Sequence, residues 1–424
     1  MSERSPLAIG LVSPSWPPSA APSGIVTYVA NLEGPLRALG HRVSILTLNG
    51  GGAPGPSVHD VTHVHRERSL PRRLLDAVSS RLAPERTFRS VSRRTIAEAA
   101  RRMVARGELD LLEMEESFGW AAAVQRAVPV PVCVRLHGPW FLTAGLAGAP
   151  EDAAFRARVA AEREALEAAS AVSAPAPDVL ERVRERYRLA LPDAEVIPNP
   201  VAPVPAEARW RLDRCERDRV LFVGRFDRVK GADLVIEAFA RVLERRPRAR
   251  LTLVGPDGRI EDRDGRALGL EGFVRDRLPG ALEAGRVEWR GALPFEALAP
   301  LRRSAMVTVV CSRYETFSYT AAEAMALGCP VVGADVGGVR GLVRDGESGL
   351  LHRPGDAADL ATRLEAILAD PDGAAVLGAR AAEQCAEELD PARVAVRLVA
   401  FYERALGRWR PARAAGGGGV YSAG

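Results

Sequence analysis

Two cations and two carboxylates in the second half of this 424-residue sequence have the types and spacing to hold a phosphorylated, hydroxyl-rich ligand. The cations lie in VLFVGRFDRVKGADLVIEAF, where an apolar run ends at Gly224, a short loop carries Arg225 and Lys230, and Gly231 opens a helical pattern. Cations at the carboxyl end of a parallel strand, beside a helix N-terminus, suit phosphate groups. Arg225 offers a planar fork and Lys230 a compact point charge. Lysine and arginine together number 58, yet Lys230 is the only lysine. In a chain so biased toward arginine, a retained lysine marks a place where an ammonium is needed. The plainer alternative, a stray basic residue in an exposed loop, sits poorly with its surroundings.

The carboxylates lie in SRYETFSYTAAEAMALGCPVVGADVGG. Glu315 falls in the loop after the apolar run 306–310, and Glu323 lies on a helix expected to start near Ser318. Helical side chains lean toward the N-terminus, so both carboxylates are expected to face one pocket. The amides of Phe317, Ser318 and Tyr319, at the helix start, would point into the same pocket as anion donors. Either glutamate alone would pass as a cap or a surface residue. Together they suit sugar hydroxyls, while the amides and cations suit a diphosphate.

Such residues need a scaffold of strands alternating with helices. The first half predicts strands at 7–12, 43–48, 109–113, 132–136 and 171–173, with helices at 25–39 and 151–169. IPNPVAPVP, from Ile197, is too rich in proline for a helix or central strand and reads as a linker. The alternation then restarts, with strands at 220–223, 251–254, 286–290, 306–310 and 331–333 and a helix at 232–245. The expected fold class is therefore α/β: two Rossmann-like domains, 1–197 and 198–390, facing each other across a cleft. A helix within 391–410 is expected to pack back on the first domain, and 411–424 to be a disordered tail. The string Gly50–Gly55 fits GxGxxG, but Pro54 and Pro56 interrupt it and no helix follows, so nicotinamide or flavin binding there is rejected.

Composition bounds the rest. The chain is 47% hydrophobic and 26% charged, ordinary for a soluble globular protein. No apolar run reaches the roughly 18 residues of a membrane span, and no signal peptide is read at the N-terminus. The five cysteines form no CxxC pair, which points to reduced thiols and a cytoplasmic setting. The net charge of +4 is unevenly placed: from Arg66 to Arg106 twelve arginines face four acids. Leucines and valines interleave there, so this segment reads either as a solvated helical face or as a peripheral contact with anionic lipid at the inner face of the membrane. Nothing in the sequence points to nucleic acid.

The motifs resemble those of the retaining nucleotide-sugar glycosyltransferases of GT-B fold, family 4, also called glycosyl transferases group 1. The resemblance rests on FVGR…KG (222–231), VGPDG (254–258), Glu315-x7-Glu323 with EAMALGCPVV, and GG…DGESGLL (337–351). In the first half it rests on SGIVTYVANLEGPLRALGHRVSILT (23–47), RLHGP (135–139) and IPNP (197–200). It implies a nucleoside diphosphate sugar as donor and an acceptor hydroxyl of unknown kind. Arg225 and Lys230 would bind the diphosphate at the strand end closed by Gly224. Glu315 would hold sugar hydroxyls, Glu323 the ribose, and Gly24 would let its loop approach the donor. His137, which alone would read as a structural histidine, would lie near the reacting sugar. No cofactor is implied and no metal, because the loop cations replace a divalent ion. Two departures stand out: Gly341 occupies a position where the family often has glutamate, and Ser318 one where glycine is common. A nucleotide-sugar epimerase of the same fold and a catalytically silent sugar-nucleotide-binding subunit remain competing readings.

Overall fold

The computed structural model describes residues 6–19, 23–50, 57–62, 84–146, 148–261 and 265–410, with main chain alone at 84–90 and 295. Positions 51–55 of the glycine string, 66–83 of the arginine-rich segment and the tail 411–424 lie outside the described residues.

The first half folds as β1 (Ala8–Ser13), α1 (Gly24–Ala38), β2 (Arg42–Thr47), β3 (Val58–Asp60), α2 (Pro84–Ala105), β4 (Leu111–Glu115), α3 (Trp120–Ala127) and β5 (Val132–Arg135). It continues with the short α4 (Trp140–Thr143), α5 (Ala153–Ala168), β6 (Ala171–Ala174), α6 (Pro177–Tyr187) and β7 (Glu195–Val196). The seven strands form one sheet in the order β3-β2-β1-β4-β5-β6-β7, every pair parallel. The chain winds outward from β1 in one direction, then returns and winds outward from β4 in the other. That reversal puts the topological switch point between β1 and β4.

The second half comprises β8 (Glu216–Val223), α7 (Ala232–Arg245), β9 (Arg250–Val254), the small antiparallel pair β10 (Ile260–Glu261) and β11 (Ala267–Leu268), α8 (Leu270–Arg277) and β12 (Val287–Trp289). Then follow α9 (Phe295–Ser304), β13 (Ala305–Val310), α10 (Tyr319–Ala326), β14 (Val331–Ala334), α11 (Gly337–Leu342), β15 (Leu350–His352), α12 (Ala357–Ala369) and α13 (Pro371–Glu388). Its sheet is also all parallel, in the order β12-β9-β8-β13-β14-β15. The switch point here lies between β8 and β13, the two strands whose following loops carry the chemistry-bearing residues.

The final helix, α14 (Pro391–Arg408), leaves the second domain and docks on the first. Asp390 caps it by accepting from the amides of Ala392 and Arg393, and Pro391 fits the first helical turn. Val394, Leu398, Phe401 and Tyr402 are buried in one core with Ile9, Tyr28, Leu32 and Leu36. Each such side chain contributes about 1.5–3 kcal/mol by leaving water, so the return of the chain is anchored by apolar area. Arg404 adds a two-pronged bond to Glu195 beside it.

Two of the expected strands differ from the sequence reading by two residues or more at an end. The strand expected at 109–113 runs instead over Leu111–Glu115. Asp110 stops short of it and turns its carboxylate to the amide of Ala8. Glu113 can stay in a buried strand because it accepts from the hydroxyls of Tyr28 and Tyr402, both at 2.9 Å, a pairing no local pattern signals. β8 begins at Glu216 rather than 220, because its charged, partly exposed first half already pairs with its neighbours, Glu216 opposite Ala305 of β13 and Arg219 opposite Arg250 of β9.

Candidate active site

The expected cations and carboxylates are assembled at the β8/β13 switch point, where parallel sheets bind ligands. The two loops approach so closely that a Cβ on Gly231 would lie 2.0 Å from the carbonyl oxygen of Cys311, and its φ of +73° is one that side-chain-bearing residues rarely adopt. Lys230, held next to it by its amide bonding Asp227 Oδ1 at 2.7 Å, donates from Nζ to Glu315 Oε1 at 2.7 Å. Ser312 Oγ donates to the same oxygen at 2.7 Å. Lys230 is 38% exposed and Glu315 15%, so the pair is reachable from solvent. Arg225, 57% exposed, is ion-paired with Asp227 in the same loop.

The loop bearing Glu315 is clasped from behind by Gly337 and Gly338. Cβ atoms there would fall 2.2 Å from the Glu315 carbonyl oxygen and 2.4 Å from that of Thr316, and the Gly338 amide donates to the former at 2.8 Å. Helix α10 then starts at Tyr319, one residue later than expected, with Ser318 as its N-cap accepting from the amide of Ala321 at 3.3 Å. Ser318 takes a φ of +85°, the conformation for which glycine is the easier residue. The first-turn amides of a helix point out of its end, and here Ser318 Oγ takes that of Ala321.

Glu323 is placed differently from the expectation of two free carboxylates. Its Oε2 is 2.7 Å from Nη2 of Arg302, a side chain of α9 that is 2% exposed. Burial raises the Glu323 pKa, and Arg302 opposes that rise. One oxygen of each glutamate is thus taken by a cation, while Glu315 Oε2 and Glu323 Oε1 have no hydrogen-bond partner among the described residues. Sequence reading missed Arg302 because an arginine in LRRS at a helix end looks like a surface residue.

The first domain supplies the facing wall. Gly24 begins α1, capped by Ser23, and a Cβ there would stand 4.0 Å from the ring of Tyr319 in the second domain. His137 follows β5, its ring edge-on to Tyr28 at 4.9 Å. Burial, and secondarily Arg135, hold its pKa well below the ordinary histidine value, so the ring is neutral at physiological pH. Its carbonyl accepts from Thr316 Oγ1 at 2.6 Å, which brings it beside Glu315 in the sequence of the opposite domain. Tyr314, on the other flank of Glu315, donates to Asp178 Oδ2 at 2.8 Å. Arg135 is fully buried and grips the interdomain linker at Ile197 O and Asn199 Oδ1, both 2.6 Å away. Gly341 lies at this junction too: a Cβ would meet that of Ala176 at 3.6 Å.

Beneath His137 is a group of buried carboxylates that no motif announced. Glu116 accepts from the amides of His137 and Gly138, and Glu162 from the Trp140 amide and the Tyr187 hydroxyl. Burial raises Glu115 to about 8, with Glu116 adding to the rise. Burial likewise raises Glu116 to about 7, with Glu162 adding and the two amides opposing. Among the described residues, no group of three or more histidine, cysteine or acidic side chains is placed to hold a metal ion, and no helix is long and apolar enough to cross a membrane.

Comparison with known proteins decides the family. The model for "Glycosyltransferase Family 4" matches residues 22–203, and that for "Glycosyl transferases group 1" matches 217–370. The chain belongs to the family 4, group 1 glycosyltransferases. A D-inositol 3-phosphate glycosyltransferase of Frankia alni is 38% identical over 198 residues, covering 44% of this chain and 45% of the relative. One of Thermobispora bispora is 33% identical over 264 residues, 59% of this chain and 60% of the relative. The chain thus matches about half the length of these curated relatives. Among solved structures, sucrose-phosphate synthase of Thermosynechococcus elongatus superposes with a TM-score of 0.66 at 24% identity, covering 95% of this chain and 99% of that one. HepE of Anabaena, in complex with UDP, gives 0.64 at 18% identity over 94% and 100%. The fold of this family 4 chain is GT-B: two Rossmann-like domains with parallel sheets.

Proposed function

We propose that the chain transfers a hexose-type sugar, with retention of anomeric configuration, from a nucleoside diphosphate sugar to an acceptor hydroxyl. The observation that carries this reading is the Lys230–Glu315 pair at 2.7 Å, set at the switch point of the second sheet and facing His137 across the domain junction. A cation and a carboxylate in contact there supply both halves of a diphosphate-sugar site. UDP bound to HepE and the naming of relatives as glycosyltransferases support a donor of this class.

Lys230 and Arg225 bind the diphosphate and stabilise the charge it gains on leaving, which is the largest catalytic contribution and requires no divalent metal. Glu315 holds hydroxyls of the sugar through its second oxygen, and Glu323 the ribose. The amides of Phe317, Ser318 and Tyr319 add anion donors, Gly224 gives the strand end its close approach, and Gly24 lets the start of α1 near the donor. His137, neutral, lies by the sugar as a hydrogen-bonding group rather than a base. The sugar C1–phosphate oxygen bond breaks, the C1–acceptor oxygen bond forms on the same face, and the acceptor proton passes to the departing phosphate oxygen.

The acceptor is held by the first domain, whose arginine-rich segment 66–106 extends the reading to peripheral contact with anionic lipid. Of the described part, Arg102 is paired with Glu98 and Arg106 with Glu108. A thermal-shift screen with nucleoside diphosphates and their sugars identifies the donor. NMR of the glycosylated product then tests the stereochemistry: retention supports the reading, and inversion contradicts it.

A further inference from the structure

Glu116 does none of the work assigned so far, yet it is one of the most expensively placed side chains in the first domain. It follows β4 and is fully buried. Its Oε2 accepts from the amide of His137 at 2.9 Å and its Oε1 from the amide of Gly138 at 2.7 Å. Burying a carboxylate costs several kcal/mol unless it is compensated, and charge-assisted bonds to main-chain amides are a partial compensation. Its other neighbours do not help: Glu115 and Glu162 are carboxylates, and Arg158 bonds Glu162 instead. A loop that needed only two satisfied amides could have used water or a neutral side chain.

What the carboxylate fixes is the His137–Gly138 main chain, and that main chain is also a domain contact. The His137 carbonyl accepts from Thr316 Oγ1 at 2.6 Å. Thr316 adjoins Glu315, whose Oε1 takes Lys230 Nζ at 2.7 Å. An unbroken path therefore runs from a buried carboxylate of the acceptor domain to the sugar-holding carboxylate of the donor domain. Arg302, which steadies Glu323, belongs to the second domain alone. We propose that Glu116 is a positioning residue: it sets the His137–Gly138 main chain so that Thr316, and with it Glu315, is registered for the donor sugar, while nucleotide binding is left untouched.

This inference rests on the donor assignment above, and its test separates the two. Calorimetry on the full chain would use UDP and UDP-glucose, GDP and GDP-mannose, and ADP and ADP-glucose, keeping the pair whose nucleotide binds most tightly. Glu116→Gln keeps the shape but turns an amide NH2 toward a main-chain N–H. It is expected to raise the Kd of the sugar nucleotide about ten-fold while that of the bare diphosphate stays within about two-fold. Thr316→Val should do the same, Thr316→Ser should restore the unmodified values, and the double variant should be no worse than the stronger single one, as coupled groups require. Equal loss for nucleotide and sugar nucleotide would mean a merely structural role and overturn the proposal, as would unchanged values or fully additive effects. If Glu116→Gln does not fold, the Thr316→Val and Thr316→Ser pair decides alone by the same criteria. If the unmodified protein binds none of the nucleotides, the donor assignment itself fails and this inference with it.

Discussion

Lys230 and Glu315, eighty-five residues apart in sequence, meet at 2.7 Å where the loops after β8 and β13 converge. Each neutralises the other there, so the proposed donor would have to recruit Lys230 to phosphate and Glu315 to hydroxyls from an existing pair. Lys230→Ala and Arg225→Ala should each lower turnover, read as release of nucleoside diphosphate from the sugar nucleotide, by the equivalent of about 2–4 kcal/mol in the transition state. Melting temperatures should change little, because both side chains are substantially exposed. A chelator should leave the unmodified rate intact. Near-normal turnover in both variants would remove the diphosphate role, and metal-reversible loss would remove the cation-only account.

The two glutamates should separate by ligand. Glu323→Ala is expected to weaken binding of the bare nucleoside diphosphate, since ribose is common to nucleotide and sugar nucleotide. Glu315→Ala should spare that binding and harm sugar transfer. Arg302→Met should follow Glu323→Ala and also lower stability by about 3–5 kcal/mol, because it leaves a buried carboxylate without its cation. Calorimetry with the nucleotide, together with urea unfolding, checks all three. Equal nucleotide losses in the two glutamate variants would contradict the division.

A pH dependence of stability follows from Glu115, whose pKa burial raises to about 8. Between the ordinary carboxylate range and that value, the folded chain keeps a proton that the unfolded chain releases. Stability therefore falls as pH rises through this window, and below it both states are protonated and Glu115 has no effect. Glu115→Gln should flatten the decline in urea midpoint between about pH 5.5 and pH 8.5. An unchanged slope in the variant would show that Glu115 is not the group responsible.

The lipid contact is tested by sedimentation with vesicles. If the segment 66–106 binds anionic headgroups, the protein should pellet with anionic but not neutral vesicles at low salt, and salt should release it. Changing Arg72, Arg73, Arg93 and Arg94 to glutamine should weaken the pelleting. Protein that stays in the supernatant with anionic vesicles would favour a soluble acceptor.

The meeting of Lys230 with Glu315 was legible in sequence because its signals are local: a strand, a glycine and two cations within ten residues, then one glutamate in the loop before a helix and one inside it. The alternation of strands and helices and the proline-rich linker carried the fold in the same way. What escaped was everything fixed by partners distant in the chain. Glu113 read as a strand end because nothing nearby shows that Tyr28 and Tyr402 will donate to it from two different helices. Arg302 and Glu116 carry no local sign in the sequence, since their burial depends on how α9 and the end of β4 pack rather than on neighbouring residues. Gly341, visible as a departure from the family pattern, acquires a meaning only from its contact with Ala176 across the domain junction.

The sole lysine allows the central claim, that a nucleoside diphosphate sits on Lys230, to be measured directly. An amine-directed reagent can modify only Lys230 and the chain's terminal amine, and Lys230 is 38% exposed. Mass spectrometry of the labelled chain, with and without the nucleoside diphosphate that gives the largest thermal shift, reads occupancy at one atom. Labelling of Lys230 should fall in proportion to nucleotide saturation, while labelling of the terminal amine stays constant. Labelling of Lys230 that persists unchanged at saturating nucleotide would place the diphosphate elsewhere and contradict the account.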